Sequence, residues 1–294
     1  MRWVAVDWGT TALRATLMEG AEPLETKASD AGMGTLERDG FEPALLALIE
    51  PWLDARAPTR VVAGGMVGAR QGWHEAPYRA VPCAPLADGP VPVPGTDPRL
   101  ALSIVPGLSQ AAPHPDVMRG EETQIAGALA ANPGFDGCLC LPGTHTKWAH
   151  VSAGEVVSFL TVMSGELFAL LSERSVLRHS VAAEGWDDDA FREALSDSFS
   201  RPERLPARLF RLRAADLLQD QSPQAARAAL SGLLLGAELA AAKPWWLGRE
   251  VLVVGSGRTV PAYVAALDAQ GVAARSMDAE AATLAGLAAA AEAR

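Results

Sequence analysis

The sequence is poor in basic residues relative to acidic ones. Its 294 residues include 25 Lys and Arg against 35 Asp and Glu, which gives a formal net charge of −10. Surfaces that bind nucleic acid or anionic membranes need clustered Lys and Arg, so this balance argues against both kinds of partner. It does not exclude a small anionic ligand, because a local pocket of backbone N–H groups and one or two cations can bind one.

Long apolar runs and cysteine pairs are also scarce. No apolar stretch approaches the roughly 20 residues of a membrane-spanning helix, and Met1 leads into a predicted strand without a secretory signal. The three cysteines are an odd number, and Cys138 and Cys140 alternate on one predicted strand, a poor geometry for a disulfide. Free thiols in a reducing compartment are the simplest interpretation, so we expect a cytoplasmic protein.

The clearest pattern present is VAVDWGTTALRATLMEG at residues 4–20. A buried strand leads to the carboxylate of Asp7, a turn of small residues follows at Gly9, Thr10 and Thr11, and a second strand begins there. An ordinary two-residue hairpin would use Asn-Gly or Asp-Gly without hydroxyls behind it. A carboxylate and two hydroxyls on a bare turn therefore predict a site for a charged ligand.

A similar hairpin opens the second half of the chain, at CLCLPGTHTKWAHVSAGEVVSFL (138–160). An offset of about 134 positions aligns Gly9 with Gly143, Thr10 with Thr144 and Gly20 with Gly154. The second copy lacks the acid and carries His145, Thr146 and Lys147 instead. Two such turns facing each other, one acidic and one basic, would suit a magnesium-bound polyphosphate. The segment ANPGFDG between the halves predicts a domain boundary at 133/134.

The rest of the chain reads as alternating strands and helices. Buried strands are predicted at 59–69 and 250–257, and residues 71–100 are rich in Pro and Gly and read as loop. Asp116 is predicted to cap a helix that runs to about Leu129. The strand EVLVVGSG ends at Gly255, Ser256 and Gly257 before another helix, an order typical of a nucleotide-binding turn. Further helices are predicted over 41–56, 165–173, 187–218, 224–242 and 260–270 and from 278.

These features resemble the actin-like ATPase and sugar kinase superfamily. In that superfamily, two hairpins from opposite domains bind the phosphates, and a glycine turn farther along the second domain contacts the adenosine. Five strings narrow the resemblance to the 2-dehydro-3-deoxygalactonokinase family, in the same order along nearly the whole chain. They are VDWGTTALRA (6–15), GMVGARQGWHEAPY (65–78), DVMRGEETQIAGAL (116–129), LPGTHTKW (141–148) and MSGELFALL (163–171).

The resemblance implies an α/β, two-domain actin-like ATPase fold of the ribonuclease H-like type. Each domain would be a mixed sheet flanked by helices, with a nucleotide cleft between the domains. Residues 1–133 would carry the first phosphate hairpin and a sugar-acid loop, and 134–294 the second hairpin and the adenosine turn. The implied reaction is magnesium-dependent transfer of phosphate from ATP to O6 of 2-dehydro-3-deoxy-D-galactonate, a step of galactonate breakdown. A homodimer is compatible with the sequence.

The resemblance also implies roles for individual residues. Asp7 would face magnesium, and Glu122 is the candidate base, by similarity to a Glu-Glu helix of exopolyphosphatases, with Asp116 and Glu121 as rivals. The implied nucleotide contacts are Gly9, Thr10, Thr11, Gly143, Thr144, Lys147, Gly255, Ser256 and Gly257, with Gly232, Gly236 and Glu238 near the base or ribose. The implied substrate contacts are Arg70, Gln71, Trp73, Tyr78, Arg119, His145, Ser164 and Glu166.

Several alternatives stay open from the sequence alone. The acids near Glu122 also suit the first turn of a helix, where the dipole favours them, and Trp73 could equally anchor its loop to the core. Another sugar kinase of the same fold would use the same hairpins, because pocket side chains set the substrate. A phosphatase-type member would use water as acceptor. A non-catalytic nucleotide-binding protein would keep only the binding turns.

Overall fold

The structure is a computed structural model that describes residues 1–54, 56–182 and 184–293. The described chain forms two compact units. The first contains residues from 1–136 and 151–158 and the segment that begins at Met277. The second contains residues from 137–150 and 159–276. Among the described residues, no helix has both the length and the apolar character needed to cross a membrane.

A six-stranded mixed sheet forms the centre of the first unit, in the order β3-β2-β1-β4-β7-β6. A smaller sheet has the order β5-β8-β9. The strands are β1 (Arg2–Trp8), β2 (Leu13–Glu19), β3 (Glu22–Ser29), β4 (Thr59–Gly65), β5 (Arg79–Ala80), β6 (Val91–Pro92), β7 (Leu100–Ile104), β8 (Leu108–Gln110) and β9 (Asp116–Met118). The helices before the second unit are α1 (Phe41–Ile49) and α2 (Glu121–Ala131).

The first strand is central because it is apolar on both faces. Val4, Ala5 and Val6 are all buried, and β1 pairs antiparallel with β2 and parallel with β4. A strand whose two faces are both buried consists of consecutive apolar residues, and β1 has this pattern. Asp7 therefore lies near the carboxyl end of a central strand, opposite Arg14 on β2 and Gly64 on β4.

The second unit is built on a five-stranded sheet in the order β12-β11-β10-β13-β14, although the end of β11, the first half of β12 and the end of β14 are grouped with the first unit. Strand β10 pairs parallel with β13, so the turn after β10 and the glycine turn after β13 follow the same ends of adjacent strands. The strands are β10 (Gly137–Leu141), β11 (Thr146–Ser152), β12 (Glu155–Val162), β13 (Glu250–Gly255) and β14 (Arg275–Asp278). The helices are α3 (Ser164–Glu173), α4 (Asp188–Ser200), α5 (Leu205–Gln219), α6 (Pro223–Ala241), α7 (Lys243–Trp246) and α8 (Thr259–Asp268).

The last described helix, α9 (Ala279–Glu292), packs in the first unit, although the predicted boundary assigned all of 134–294 to the second domain. It crosses α2 at two glycines. A Cβ at Gly127 would overlap the carbonyl oxygen of Ala282, and a Cβ at Gly286 would overlap that of Thr123. Backbones that approach this closely leave no room for side chains, so small residues on both helices determine the pairing.

Three predicted helices have different bounds in the structure. Asp116 does not cap a helix: it lies on β9, and α2 begins at Glu121 after Gly120, whose φ of +102° interrupts the backbone. The helix predicted over 187–218 is broken between α4 and α5 by Pro202, which begins a short 3₁₀ turn. The helix predicted over 41–56 ends at Ile49, one residue before a turn that contains Pro51; residue 55 lies outside the described residues.

Candidate active site

The first Gly-Thr turn is exposed and is supported from behind by a second segment. Thr10 and Thr11 are solvent-exposed, and Gly9 is half-buried. The N–H of Met33 donates to the carbonyl oxygen of Gly9 at 3.0 Å, and that of Gly34 donates to the carbonyl oxygen of Thr10 at 2.8 Å. These bonds occupy carbonyl oxygens of the turn, while the Thr10 and Thr11 hydroxyls make no hydrogen bond within the described chain.

The second Gly-Thr turn has the same kind of support. Gly143, Thr144 and His145 are exposed, and the N–H of Glu166 donates to the carbonyl oxygen of Thr144 at 2.9 Å. A Cβ at Gly165 would overlap the carbonyl oxygen of Gly143. In the first unit, a Cβ at Gly32 would likewise overlap the carbonyl oxygen of Thr10. The internal repeat therefore includes the glycine segment behind each turn as well as the turn.

The side chains of His145 and Glu166 pair beside the second turn. His145 Nε2 lies 2.6 Å from Glu166 Oε2, and both side chains are partly exposed. Two of the family-like strings, LPGTHTKW and MSGELFALL, meet at this contact. The pair can orient a hydrogen-bond donor or acceptor of His145 toward a ligand at the turn.

Asp7 shares a guanidinium with a second carboxylate. Arg14 Nη1 lies 3.7 Å from Asp7 Oδ2 and 3.9 Å from Oε2 of Glu280 at the start of α9. Burial raises the pKa of Asp7 above its usual range; Arg14 opposes that increase and Glu280 adds to it. Asp7 is half-buried beside the first turn, so it can present a carboxylate oxygen to a hydrated cation.

Glu122 is fully buried, with an exposed fraction of 0%. Its Oε2 accepts a hydrogen bond from the N–H of Gly120 at 2.7 Å, and its Oε1 accepts one from the Thr123 hydroxyl at 3.1 Å. Burial, followed by repulsion from Glu121, raises the pKa of Glu122 to about 7. A carboxyl with this pKa can hold or release a proton near neutral pH. Asp116 is half-buried on β9, where its Oδ1 accepts from the N–H of Val117.

The predicted sugar-acid loop lies over Arg119. This side chain is 8% exposed; its Nη2 donates to the carbonyl oxygen of Ala76 at 2.8 Å, and its guanidinium lies 4.3 Å from the ring centre of Tyr78. Its Nε and Nη1 have no hydrogen-bond partner among the described residues. Trp73 packs on Trp8 and Phe41, so it anchors the loop to the core. Arg70 and Gln71 are exposed on the same loop.

A cavity of 440 Å³ opens beside the second turn, within the second unit. Its lining includes Gly143 and Thr144 from the turn, Ser164 and Gly165 from α3, and Tyr263 from α8. Trp186, Arg227 and Arg258 add one aromatic and two cationic side chains. The cavity thus combines a turn that can bind phosphate through its N–H and hydroxyl groups with apolar and aromatic surface. A nucleotide needs both, the first for its phosphates and the second for its base.

Other predicted nucleotide contacts lie elsewhere. Gly232 and Gly236 pack against α4, and a Cβ at either position would overlap the backbone of α4. Both glycines therefore serve helix packing, and neither lines the cavity. Lys147 is buried, and its Nζ donates to the Thr161 hydroxyl at 2.9 Å. Gly255 is buried, whereas Ser256 and Gly257 are exposed just before the cavity residues Arg258 and Thr259.

The sequence does not predict the residues that reach each turn or the cavity from separate segments. In the first unit they are Gly32, Gly34 and Glu280, and in the second unit they are Trp186, Arg227 and Arg258. The glycine pair in Gly32-Met33-Gly34 is a local signal that could have been noticed, because paired glycines often mark a close backbone approach. The others carry no local signal.

Comparisons with known proteins identify the family. The model of the 2-keto-3-deoxy-galactonokinase family matches residues 7–290. The chain belongs to this family. A protein of Rhizobium meliloti strain 1021 named as a probable 2-dehydro-3-deoxygalactonokinase is 39% identical over 99% of this chain and 97% of its own length. The 2-dehydro-3-deoxygalactonokinase of Escherichia coli K12 is 35% identical over 92% of this chain and 90% of its own. The predicted family is therefore confirmed, and with it the class of activity, phosphoryl transfer to an alcohol group.

Solved structures support the same family and fold. A crystal structure from Sinorhizobium meliloti that carries the same name, provisionally, has a TM-score of 0.92 and 39% identity, over 99% of this chain and 98% of that one. The ADPNP-bound activator of 2-hydroxyisocaproyl-CoA dehydratase from Clostridium difficile has a TM-score of 0.55 at 14% identity, over 100% of this chain and 94% of that one. The predicted actin-like α/β fold is confirmed.

Proposed function

We propose that this protein transfers the γ-phosphoryl group of ATP to O6 of 2-dehydro-3-deoxy-D-galactonate in the cytoplasmic breakdown of galactonate. The O6 hydroxyl gives its proton to a carboxylate, a bond forms between O6 and the γ-phosphorus, and the bond from that phosphorus to the β–γ bridging oxygen breaks. ADP and the 6-phosphate leave. The substrate is the one named for the family relatives.

The observation that carries the phosphoryl-transfer proposal is the pair of exposed Gly-Thr turns. Each turn has carbonyl oxygens occupied by a glycine-containing segment behind it, at Gly34 and at Glu166. Exposed hydroxyls and turn N–H groups are suitable donors to phosphate oxygens. The nucleotide would occupy the cavity beside Gly143 and Thr144, with its phosphates at the turn.

The residues present fit a magnesium ion. Mg²⁺ is typically bound by one or two carboxylates plus substrate phosphates and water. Asp7 supplies one half-buried carboxylate beside the exposed hydroxyls of Thr10 and Thr11. No group of three or more potential metal ligands occurs in the described part of the chain, which fits an ion held mainly by phosphate and water. When bound, the ion would neutralise charge that develops on the phosphate oxygens.

We assign the proton acceptor to Glu122, because its pKa of about 7 suits proton exchange near neutral pH. Asp116 and Glu121 are the rivals, since both have exposed surface and Glu122 has none. Arg119 is the candidate cation for the sugar-acid carboxylate, because its Nε and Nη1 have no hydrogen-bond partner in the described structure. Arg70, Gln71 and Tyr78 lie on the loop that covers it.

The test is coupled ADP release from ATP and magnesium with five acceptor conditions: 2-dehydro-3-deoxygalactonate, its gluconate epimer, galactonate, glucose and no sugar. We expect strong turnover with the first and a loss of at least 10³-fold in Asp7→Asn. Asp268→Asn, on the exposed end of α8, is the matched control and should keep full activity. Turnover confined to the epimer or to glucose would overturn the substrate. Phosphate release that is independent of sugar would indicate a phosphatase.

A further inference from the structure

A buried carboxylate behind the cavity joins the segments that form its wall. Glu238 on α6 is 2% exposed. Its Oε1 accepts hydrogen bonds from Trp148 Nε1 and from the Tyr263 hydroxyl, both at 2.9 Å. The Ser164 side chain also donates to it. One carboxylate therefore links β11, α3 and α8, and two of its three donors line the cavity.

The same network reaches the second Gly-Thr turn from both sides. Tyr263 has one hydroxyl proton, which it gives to Glu238, so its contact of 2.8 Å with the Thr146 hydroxyl has Thr146 as donor. Thr146 immediately follows the turn. Ser164 precedes Gly165, which packs directly against Gly143. Glu238 thus fixes the residue that follows the turn and the helix start that supports it.

We infer that Glu238 is a positioning residue for nucleotide binding, which holds the Gly143-Thr144 turn and the Tyr263 wall in the geometry that accepts ATP. This inference rests on the proposed function only in placing ATP in the cavity. Glu238 does not touch the ligand, since it lies behind Tyr263 and Ser164. A buried polar network whose members are all paired favours one arrangement of the segments that it joins.

The inference predicts a specific loss in Glu238→Gln. Gln has nearly the same shape, but its amide nitrogen cannot accept a hydrogen bond, so the donors Trp148, Tyr263 and Ser164 compete for one oxygen. We expect the Kd of ATP with magnesium, measured by calorimetry, to rise about tenfold, while the KM of the sugar acid changes less than twofold.

Two further variants separate positioning from loss of stability. Tyr263→Phe keeps the ring but removes the bonds to Thr146 and Glu238, and it should weaken ATP binding about threefold to fivefold. In the double variant the two effects should be less than multiplicative, because the residues share one hydrogen bond. Leu230→Ala creates a cavity on the same helix outside this network; it should lower the unfolding midpoint and leave the Kd of ATP unchanged.

The outcomes are distinguishable. If wild type fails to bind ATP, the proposed function fails and the inference fails with it. If wild type binds ATP and Glu238→Gln binds it equally well, with only a lower unfolding midpoint, the proposed function survives and the positioning role is wrong. Equal weakening of ATP and sugar-acid binding would also contradict the inference, because it would indicate general loosening.

Discussion

Arg14 lies 3.7 Å from Asp7, the carboxylate that we assign to the metal, and it reaches Glu280 at 3.9 Å from the same nitrogen. The guanidinium therefore competes with a bound cation for Asp7. Because Arg14 also pairs with Glu280, its interaction with Asp7 is weaker than it would be without that second carboxylate. Both pairs are partly exposed, so each effect is modest.

The first prediction is that these two neighbours shift the magnesium requirement in opposite directions. Glu280→Gln should raise the magnesium concentration for half-maximal rate about twofold to fivefold, because Arg14 is then left with Asp7 alone and one negative charge is lost. Arg14→Gln should lower that concentration. Magnesium titrations at saturating ATP measure both shifts. Glu19→Gln, which breaks the similar exposed Arg2–Glu19 pair, serves as the control and should change nothing.

The second prediction concerns stability against pH at Glu122. A carboxyl whose pKa rises from 4.5 to about 7 on folding keeps its proton in the folded state while the unfolded state loses it. Wild type should therefore lose stability as pH rises from about 4.5 to 7, by about 3 kcal/mol in total. Glu122→Gln lacks this titration, so its stability should not fall over the same range. The free energy of unfolding of the variant minus that of wild type should therefore increase from about pH 4.5 to 7. Urea denaturation at pH 5.5 and pH 8 measures the difference; an equal difference at both would exclude a raised pKa.

A third prediction tests the glycines behind the two turns. In Gly32→Ala and Gly165→Ala the new methyl group overlaps a carbonyl oxygen of the turn, so the turn must move. We expect kcat/KM for ATP to decrease at least tenfold in each. In Gly40→Ala the nearest atom, Leu36 Cδ2, is at an ordinary 3.4 Å, and the activity should be unchanged. If Gly165→Ala retained full activity, the support we describe would not control the turn.

The fourth prediction concerns the contact between α2 and α9. A methyl group at Gly286 cannot be accommodated without separating the two backbones, because it overlaps the carbonyl oxygen of Thr123. Gly286→Ala should lower the free energy of unfolding by about 2 kcal/mol, the usual range for overpacking. Ala281→Ser, on an exposed position of the same helix, should cost less than about 0.5 kcal/mol. Denaturant midpoints of the three proteins provide the comparison.

Local patterns were sufficient to predict the hairpins but not the assembled site. Asp7 and the Gly-Thr turns follow from strand alternation and turn residues within about 20 positions, and the structure has them as exposed turns between buried strands. Trp186 and Arg258 line one cavity although 72 residues separate them, and no local period connects them. The sequence predicts Asp116 as a helix cap, because an acid there precedes an apolar helical segment. The glycine at 120 and the pairing of β9 with β8 move the start of the helix by four residues, from a predicted cap at Asp116 to the observed cap at Gly120.

The place of α9 has a consequence for how the chain is made. Leu287 and Ala290 pack with Trp3, Ala5 and Val62 in one apolar cluster, so strands made before the second unit share their core with a helix made after it. The first unit therefore cannot complete its core while the ribosome is still translating the second. The second unit has all its segments before residue 277 and needs no residue of α9 to complete its own core.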